Sequence, residues 1–217
     1  MVSPSADAVL LLHGHGRTGM SMGFLGTALR AQGYRTFAPS YGFRRSLPRI
    51  LDVLGPQVEA FARAVPGQMH IVTHSLGGLV SRALIHAHRP PNLGRVVMLA
   101  PPNCGSELAD LLTDLKLSGA VLGPISSHLC TRRLQRDEEL LGKVDYPLGI
   151  IAGTRSFTPI TDRFLPKPND GTVSVASTIL PGMADHISVP VPHTMMPVHP
   201  QSIAQVEAFL RDGRFDR

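Results

Sequence analysis

An α/β protein built on a parallel sheet is what this sequence predicts, on three observations. Short apolar runs alternate with longer helical patterns from one end of the chain to the other. The runs show no polar alternation, as expected of strands covered by helices on both faces. With 217 residues, 43% hydrophobic and 17% charged, the chain suits one soluble domain over 1–217 with a sizeable core.

The elements follow in order. A strand over 8–12 runs into a glycine-rich turn, and a helix over 21–31 is closed by Gly33 as a C-terminal cap. A strand over 34–38 leads to a helix over 47–65, with Pro48 near its start. Next come a strand over 70–73, a helix over 76–88 and a strand over 96–100. The segment 103–146 then exceeds what a simple crossover needs. Within it, Leu108, Leu111, Leu112 and Leu115 fall at helical spacing over 107–117, and a further helix is expected over 126–134. Strands over 148–152 and 187–191 and a helix over 201–211, entered through Pro200, complete the chain.

Composition narrows the function classes. The formal net charge is +5, with arginines grouped at Arg44, Arg45 and Arg49 and again at Arg132, Arg133 and Arg136. No aromatic-interleaved basic motif accompanies them, so they read as a solvated surface and no nucleic-acid partner is expected. The apolar runs are strand-sized, so no stable membrane insertion is expected. No basic segment precedes the first run and no small-residue cleavage site is visible, which points to a cytoplasmic protein without a signal peptide. Cys104 and Cys130 have neither redox nor metal spacing and read as two buried thiols.

The strongest motif follows the third strand: Thr73, His74, Ser75, Leu76, Gly77 and Gly78, with a helical pattern beginning at once. A nucleophilic serine needs its Oγ held out on a tight, strained turn between strand and helix, with small residues where the two backbones approach. Gly77 and Gly78 supply them on one side, whereas Thr73 stands where such elbows usually carry glycine. A second glycine-rich turn follows the first strand, at His13, Gly14, His15 and Gly16. A tetrahedral intermediate needs two backbone N–H donors, for which Leu76 and His15 are the candidates. His13 and His15 also read as a metal pair, but no third ligand is evident and no metal is expected.

An acid and a base must follow the nucleophile. Asp170 lies in an Asn-Asp-Gly turn that reads either as the base's carboxylate partner or simply as a good turn. Ligands of parallel sheets bind beyond the strands' carboxyl ends. That favours His193, just after the last strand, over His186, which precedes it, with His199 as the reserve. His74 reads as a packing residue, and His86, His88 and His128 as structural or surface residues. Met20, Met22, Phe24, Met195 and Met196 offer flexible apolar surface for a substrate, or core filling.

The chain resembles the bacterial esterase/lipase branch of the α/β-hydrolase superfamily over essentially its whole length. The resemblance rests on HGHGRTGMSM (13–22), THSLGG (73–78), LAPPNCGSE (99–107), NDGTVSVAST (169–178) and PHTMM (192–196). It implies a pared-down α/β-hydrolase fold, six parallel strands in the order 2-1-3-4-5-6, with 103–146 as a small helical insertion. It also implies a serine carboxylesterase acting on a small-molecule ester without a cofactor, with Ser75, Asp170 and His193 as triad and His15 and Leu76 as oxyanion donors. Short- and medium-chain esters are the expected substrates. A thioesterase, acyltransferase or true lipase would use the same triad; a non-catalytic binding module is the remaining, remoter alternative.

Overall fold

The computed structural model describes residues 6–42, 44–158, 161 and 163–217; Met1 to Ser5, where a leader would have begun, lie outside them. Six parallel strands form one sheet: β1 (Ala8–Leu12), β2 (Arg35–Phe37), β3 (Met69–His74), β4 (Leu93–Leu99), β5 (Leu148–Gly153) and β6 (Asp185–Val189), in the order β2-β1-β3-β4-β5-β6. The expected architecture and strand order are thus observed. The helices are α1 (Gly23–Ala31), α2 (Leu47–Arg63), α3 (Leu76–Ala87), α4 (Glu107–Asp114), α5 (Ser118–Val121), α6 (Ser126–Leu129), α7 (Gln135–Leu141), α8 (Val175–Thr178) and α9 (Pro200–Asp212).

Strand periodicity explains why the apolar runs are unbroken. Leu10, Leu12, Ile71 and Met98 point to one face, under Ile50 and Leu54 of α2 and Leu79 and Ala83 of α3. Their neighbours Val9, Leu11, Val72 and Val97 point to the other, under Leu25 and Leu29 of α1 and Val206 and Phe209 of α9. Both sets must be apolar because both faces are covered. Close fit is visible at Gly149, where an added Cβ would sit 2.6 Å from the Phe209 ring. Pro56 lies inside α2 and forfeits one backbone hydrogen bond. The buried stripe of Leu47, Ile50, Leu51, Leu54 and Val58 on that helix offsets the loss.

Several boundaries differ from expectation. β6 begins two residues early, so His186 lies inside it, paired with Ile150. The polar Asp185 and His186 are accommodated because β6 is an edge strand and half of it faces water. The helix expected over 126–134 stops at Leu129, where Cys130 turns extended, and a separate helix, α7, follows. The interruption has a cause in Arg133. Its buried guanidinium donates to the carbonyls of Pro102, Asn103 and His128 and bonds Glu138 at 2.8 Å. Arg133 is therefore a tether for the loop leaving β4, whereas Arg132 and Arg136 do face solvent. The cysteines are free thiols, but Cys104 is exposed and Cys130 half-buried rather than both buried. Among the described residues no helix is long and apolar enough to cross a membrane.

Candidate active site

The turn between β3 and α3 holds Ser75 at φ 52°, ψ −121°, a conformation that costs free energy in any residue with a Cβ. Its surroundings hold it there. The Ser75 N–H donates to Leu99 O at 2.8 Å, which ties the turn to β4. A Cβ on Gly77 would lie 2.4 Å from the carbonyl oxygen of Leu12, so only glycine lets α3 approach the end of β1. Thr73 occupies the usual glycine position at the end of β3. Its Oγ1 has no hydrogen-bond partner among the described residues and would be 3.6 Å from a Cβ on Gly78. That is an ordinary contact distance; what requires glycine at 78 is Pro101, whose Cβ an added Cβ would approach to 2.8 Å.

Three chain segments converge at Ser75. His193 Nε2 is 3.0 Å from Ser75 Oγ, and His193 Nδ1 is 2.7 Å from Asp170 Oδ2. All three residues are buried or nearly so. The Asn-Asp-Gly turn that read equally as a mere turn is what aims the carboxylate. Gly171 N donates to Asn169 Oδ1 at 2.9 Å, and Asp170 Oδ1 accepts from Thr172 N at 3.0 Å and Val173 N at 2.8 Å. That leaves Oδ2 for the imidazole. His193 N donates in turn to Asp170 O at 3.1 Å, so backbone and side chain of the two residues are joined. A Cβ on Gly153, at the end of β5, would lie 2.7 Å from Asp170 Cβ, so the strand must end in glycine for the turn to pack there.

The other histidines have distinct partners. His13 stacks on Tyr41 with centroids 3.9 Å apart, its Nε2 accepts from Tyr41 N at 3.2 Å, and Tyr41 Oη donates to the His13 carbonyl. His15 Nε2 lies 3.1 Å from Leu122 O, so the two rings of the supposed metal pair turn to different partners. His199 caps α9, and His186 Nε2 lies 3.0 Å from Thr178 Oγ1. His128 is buried 3.6 Å from Asp137.

His74 is more than packing. Its Nε2 donates to the His193 carbonyl at 3.0 Å and its ring lies 4.9 Å from the His193 ring. A Cβ on Gly14 would be 3.0 Å from its Nδ1 and 3.2 Å from Ser75 Cβ, so the turn after β1 rests on both residues. Burial, with a smaller contribution from His193, holds the His74 imidazole well below the ordinary histidine pKa; burial also lowers His13. Unfolded histidines take up protons as pH falls through about 6.5, while these folded ones resist. Folding stability is therefore complete above pH 6.5 and declines below it, by up to ~1.4 kcal/mol per pH unit for each such group. Urea midpoints measured between pH 7.5 and 5 are expected to fall steadily below 6.5, and less steeply in His74→Gln. A flat profile would contradict the burial argument.

A cavity of about 210 Å³ opens beside Ser75. Its polar side carries His15, His74, Ser106 and His193; its apolar wall is Leu108, Ala109, Leu112, Leu122 and Leu129. This wall comes from the 103–146 insertion. Met22 and Met196 are instead fully buried in the core, which removes them as substrate contacts. Met20 and Phe24 line a second cavity of similar volume that shares Arg17, His74 and Thr194 with the first, and Met195 lines neither. The insertion is bolted in place: Cys104 N donates to Ser177 O at 2.8 Å, Ser106 Oγ to Thr172 O at 2.7 Å, and Ser177 Oγ to Glu107 Oε1 at 3.0 Å. With the His15–Leu122 contact on the opposite side, the cavity has a fixed rim.

Comparison with known proteins agrees with this architecture. Residues 9–209 match the model of an alpha/beta hydrolase family. The fold is similar to that of a Bacillus licheniformis lipase in its mature form, with a TM-score of 0.76 and 16% identity over 96% of this chain and 92% of that one. A metagenomic carboxyl esterase aligns with a TM-score of 0.71 and 19% identity over 90% and 67% of the two chains. A Legionella pneumophila phospholipase aligns with a TM-score of 0.68 and 18% identity over 95% and 60%. No curated protein sequence matches the chain.

Proposed function

Because the chain belongs to the alpha/beta hydrolase family, we propose that it is a serine carboxylesterase for short- to medium-chain esters. The observation that carries this reading is the hydrogen-bonded series Ser75–His193–Asp170 beneath the apolar cavity.

In the first half-reaction Ser75 Oγ attacks the ester carbonyl while its proton passes to His193 Nε2. Asp170 accepts from Nδ1–H, keeps Nε2 as the basic nitrogen and stabilises the imidazolium. The negative charge on the tetrahedral oxygen is met by the N–H groups of Leu76, at the start of α3, and of His15. The His193 proton then goes to the departing alkoxide, leaving an acyl group on Ser75 and a free alcohol. In the second half, water gives a proton to His193 and attacks the acyl carbon; the acyl–Oγ bond then breaks, the His193 proton returns to Ser75 Oγ and the acid departs. The acyl chain lies against Leu108, Leu112 and Leu122. A fixed rim around a cavity of about 210 Å³ favours chains of a few carbons over the long chains of emulsified triglyceride.

The test is labelling with a fluorophosphonate, followed by mapping of the modified peptide and a chain-length series of aryl esters below their solubility limits. Modification at Ser75 with kcat/KM peaking at short or medium acyl chains is expected. Label elsewhere, or a rate rising without limit as chains lengthen, overturns the reading.

A further inference from the structure

The exposed apolar side chains of this protein are unevenly distributed. Met20, Phe24, Leu117, Val121, Phe157 and Phe164 all project into solvent, Met20 at 89% and Phe24 at 73% exposure. Met20, Phe24, Phe157 and Phe164 belong to segments that leave the carboxyl ends of β1 and β5, and Leu117 and Val121 lie in the insertion beside Leu122 of the cavity wall, so these six lie at the active-site end of the sheet; Leu134 and Leu140, at and within α7, stand apart from them. Among the described residues, the turns that lead into strands carry one comparable side chain, Ile179. Scattered apolar residues need no explanation, but a set gathered around one opening does.

Cations are interleaved with them. Arg17 precedes Met20, Lys116 precedes Leu117, Arg155 lies 5.5 Å over the Phe157 ring, and Arg163 precedes Phe164. All four cations are exposed. Of the described carboxylates nearest these residues, Asp170 is buried against His193 and Asp114 is paired with Arg132, while Glu107 and Asp110 are half-buried and accept from Ser177 and Thr131. The exposed charges beside these apolar side chains are therefore mainly cationic. A nucleic acid would use the charges but leave the aliphatic side chains in water. An anionic bilayer uses both, its headgroups meeting the Lys and Arg and its acyl boundary receiving the apolar tips.

We propose that the active-site end of the sheet is an adsorption surface for anionic phospholipid, which seats the cavity mouth on the lipid without any segment crossing it. The proposal is independent of the ester-hydrolase reading, because binding is measured on a Ser75→Ala protein that need not turn over.

The experiment is flotation of Ser75→Ala protein with phosphatidylcholine vesicles and with mixed phosphatidylcholine–phosphatidylglycerol vesicles, at low and high salt. Binding to the mixed vesicles is expected to exceed binding to phosphatidylcholine at least tenfold and to weaken with salt. Adding Leu117→Ser and Phe157→Ser should lower it at least tenfold, and adding Lys116→Glu and Arg155→Glu by a similar factor. The same pairs placed in the Ser75-bearing protein should leave its melting temperature and short-chain aryl ester rate unchanged. Equal binding to both vesicle types, or none, overturns the proposal. So does binding that the apolar pair leaves untouched and that duplex DNA competes away, since that is the behaviour of a general polyanion surface.

Discussion

Ser75→Ala is expected to lower kcat for ester hydrolysis by about 10⁴ to 10⁶ while the protein stays folded. The geometry supports both halves of that expectation. His193 Nε2 is 3.0 Å from Ser75 Oγ, and no other hydroxyl is found within hydrogen-bonding reach of that nitrogen among the described residues. On the proposed mechanism, removing the Oγ takes away the group that would carry the acyl intermediate. The turn itself is held by bonds an alanine keeps, Ser75 N to Leu99 O and Gly78 N to Ser75 O, and alanine tolerates the φ of 52° about as well as serine. Circular dichroism and a urea titration alongside steady-state kinetics would check it. A variant that keeps more than about a tenth of the activity would remove Ser75 from the mechanism.

Asp170→Asn should cost about 10⁴ in kcat with little change in stability. Asp170 Oδ1 already accepts two backbone N–H groups, from Thr172 and Val173. An asparagine keeps these bonds only by placing its carbonyl oxygen there, which turns its NH₂ toward His193 Nδ1. The imidazole must then carry its proton on Nε2, where it cannot accept one from Ser75. Asp185→Asn is the informative control. The Asp185 carboxylate accepts from Phe215 N and His186 N and pairs with Arg217, so its loss should reduce stability and spare kcat. If Asp185→Asn is instead the more damaging change for turnover, the acid has been misassigned. Asp162, a further acidic candidate by sequence position, lies outside the described residues.

The central strands were readable because they are buried on both faces, so Ala8–Leu12 and Leu148–Gly153 carry their signal in consecutive residues. The elbow was readable because backbone approach forces glycine at Gly77 and Gly78, and such constraints leave marks in sequence. What could not be read depends on direction. Met22 and Met20 are two residues apart, yet the turn at Gly19–Met22 sends one into the core and the other into water. No pattern over four residues reports that. The insertion was opaque for a related reason. Its short helices are ended by tertiary bonds, such as those of Arg133 to Pro102, Asn103 and His128, and a basic cluster does not reveal which arginine is buried. The helical spacing of Leu108, Leu111, Leu112 and Leu115 was visible, but not that Leu108 and Leu112 would face the cavity while Leu115 faced solvent.

The order of the strands has one more consequence. Ser75 follows β3, which is paired on both sides, whereas His193 follows β6, which among the described residues pairs only with β5. The proposed nucleophile and its proposed base thus belong to regions of unequal local stability. Edge elements open through partial unfolding at lower free energy than the centre of a sheet. Fraying of β6 would withdraw the imidazole while the rest of the sheet stayed intact, so this margin sets how warm the protein can be and still turn over substrate. Heat inactivation would begin before the cooperative melt and reverse on cooling. Strengthening the last strand, rather than enlarging the core, is the direct route to a more heat-tolerant catalyst.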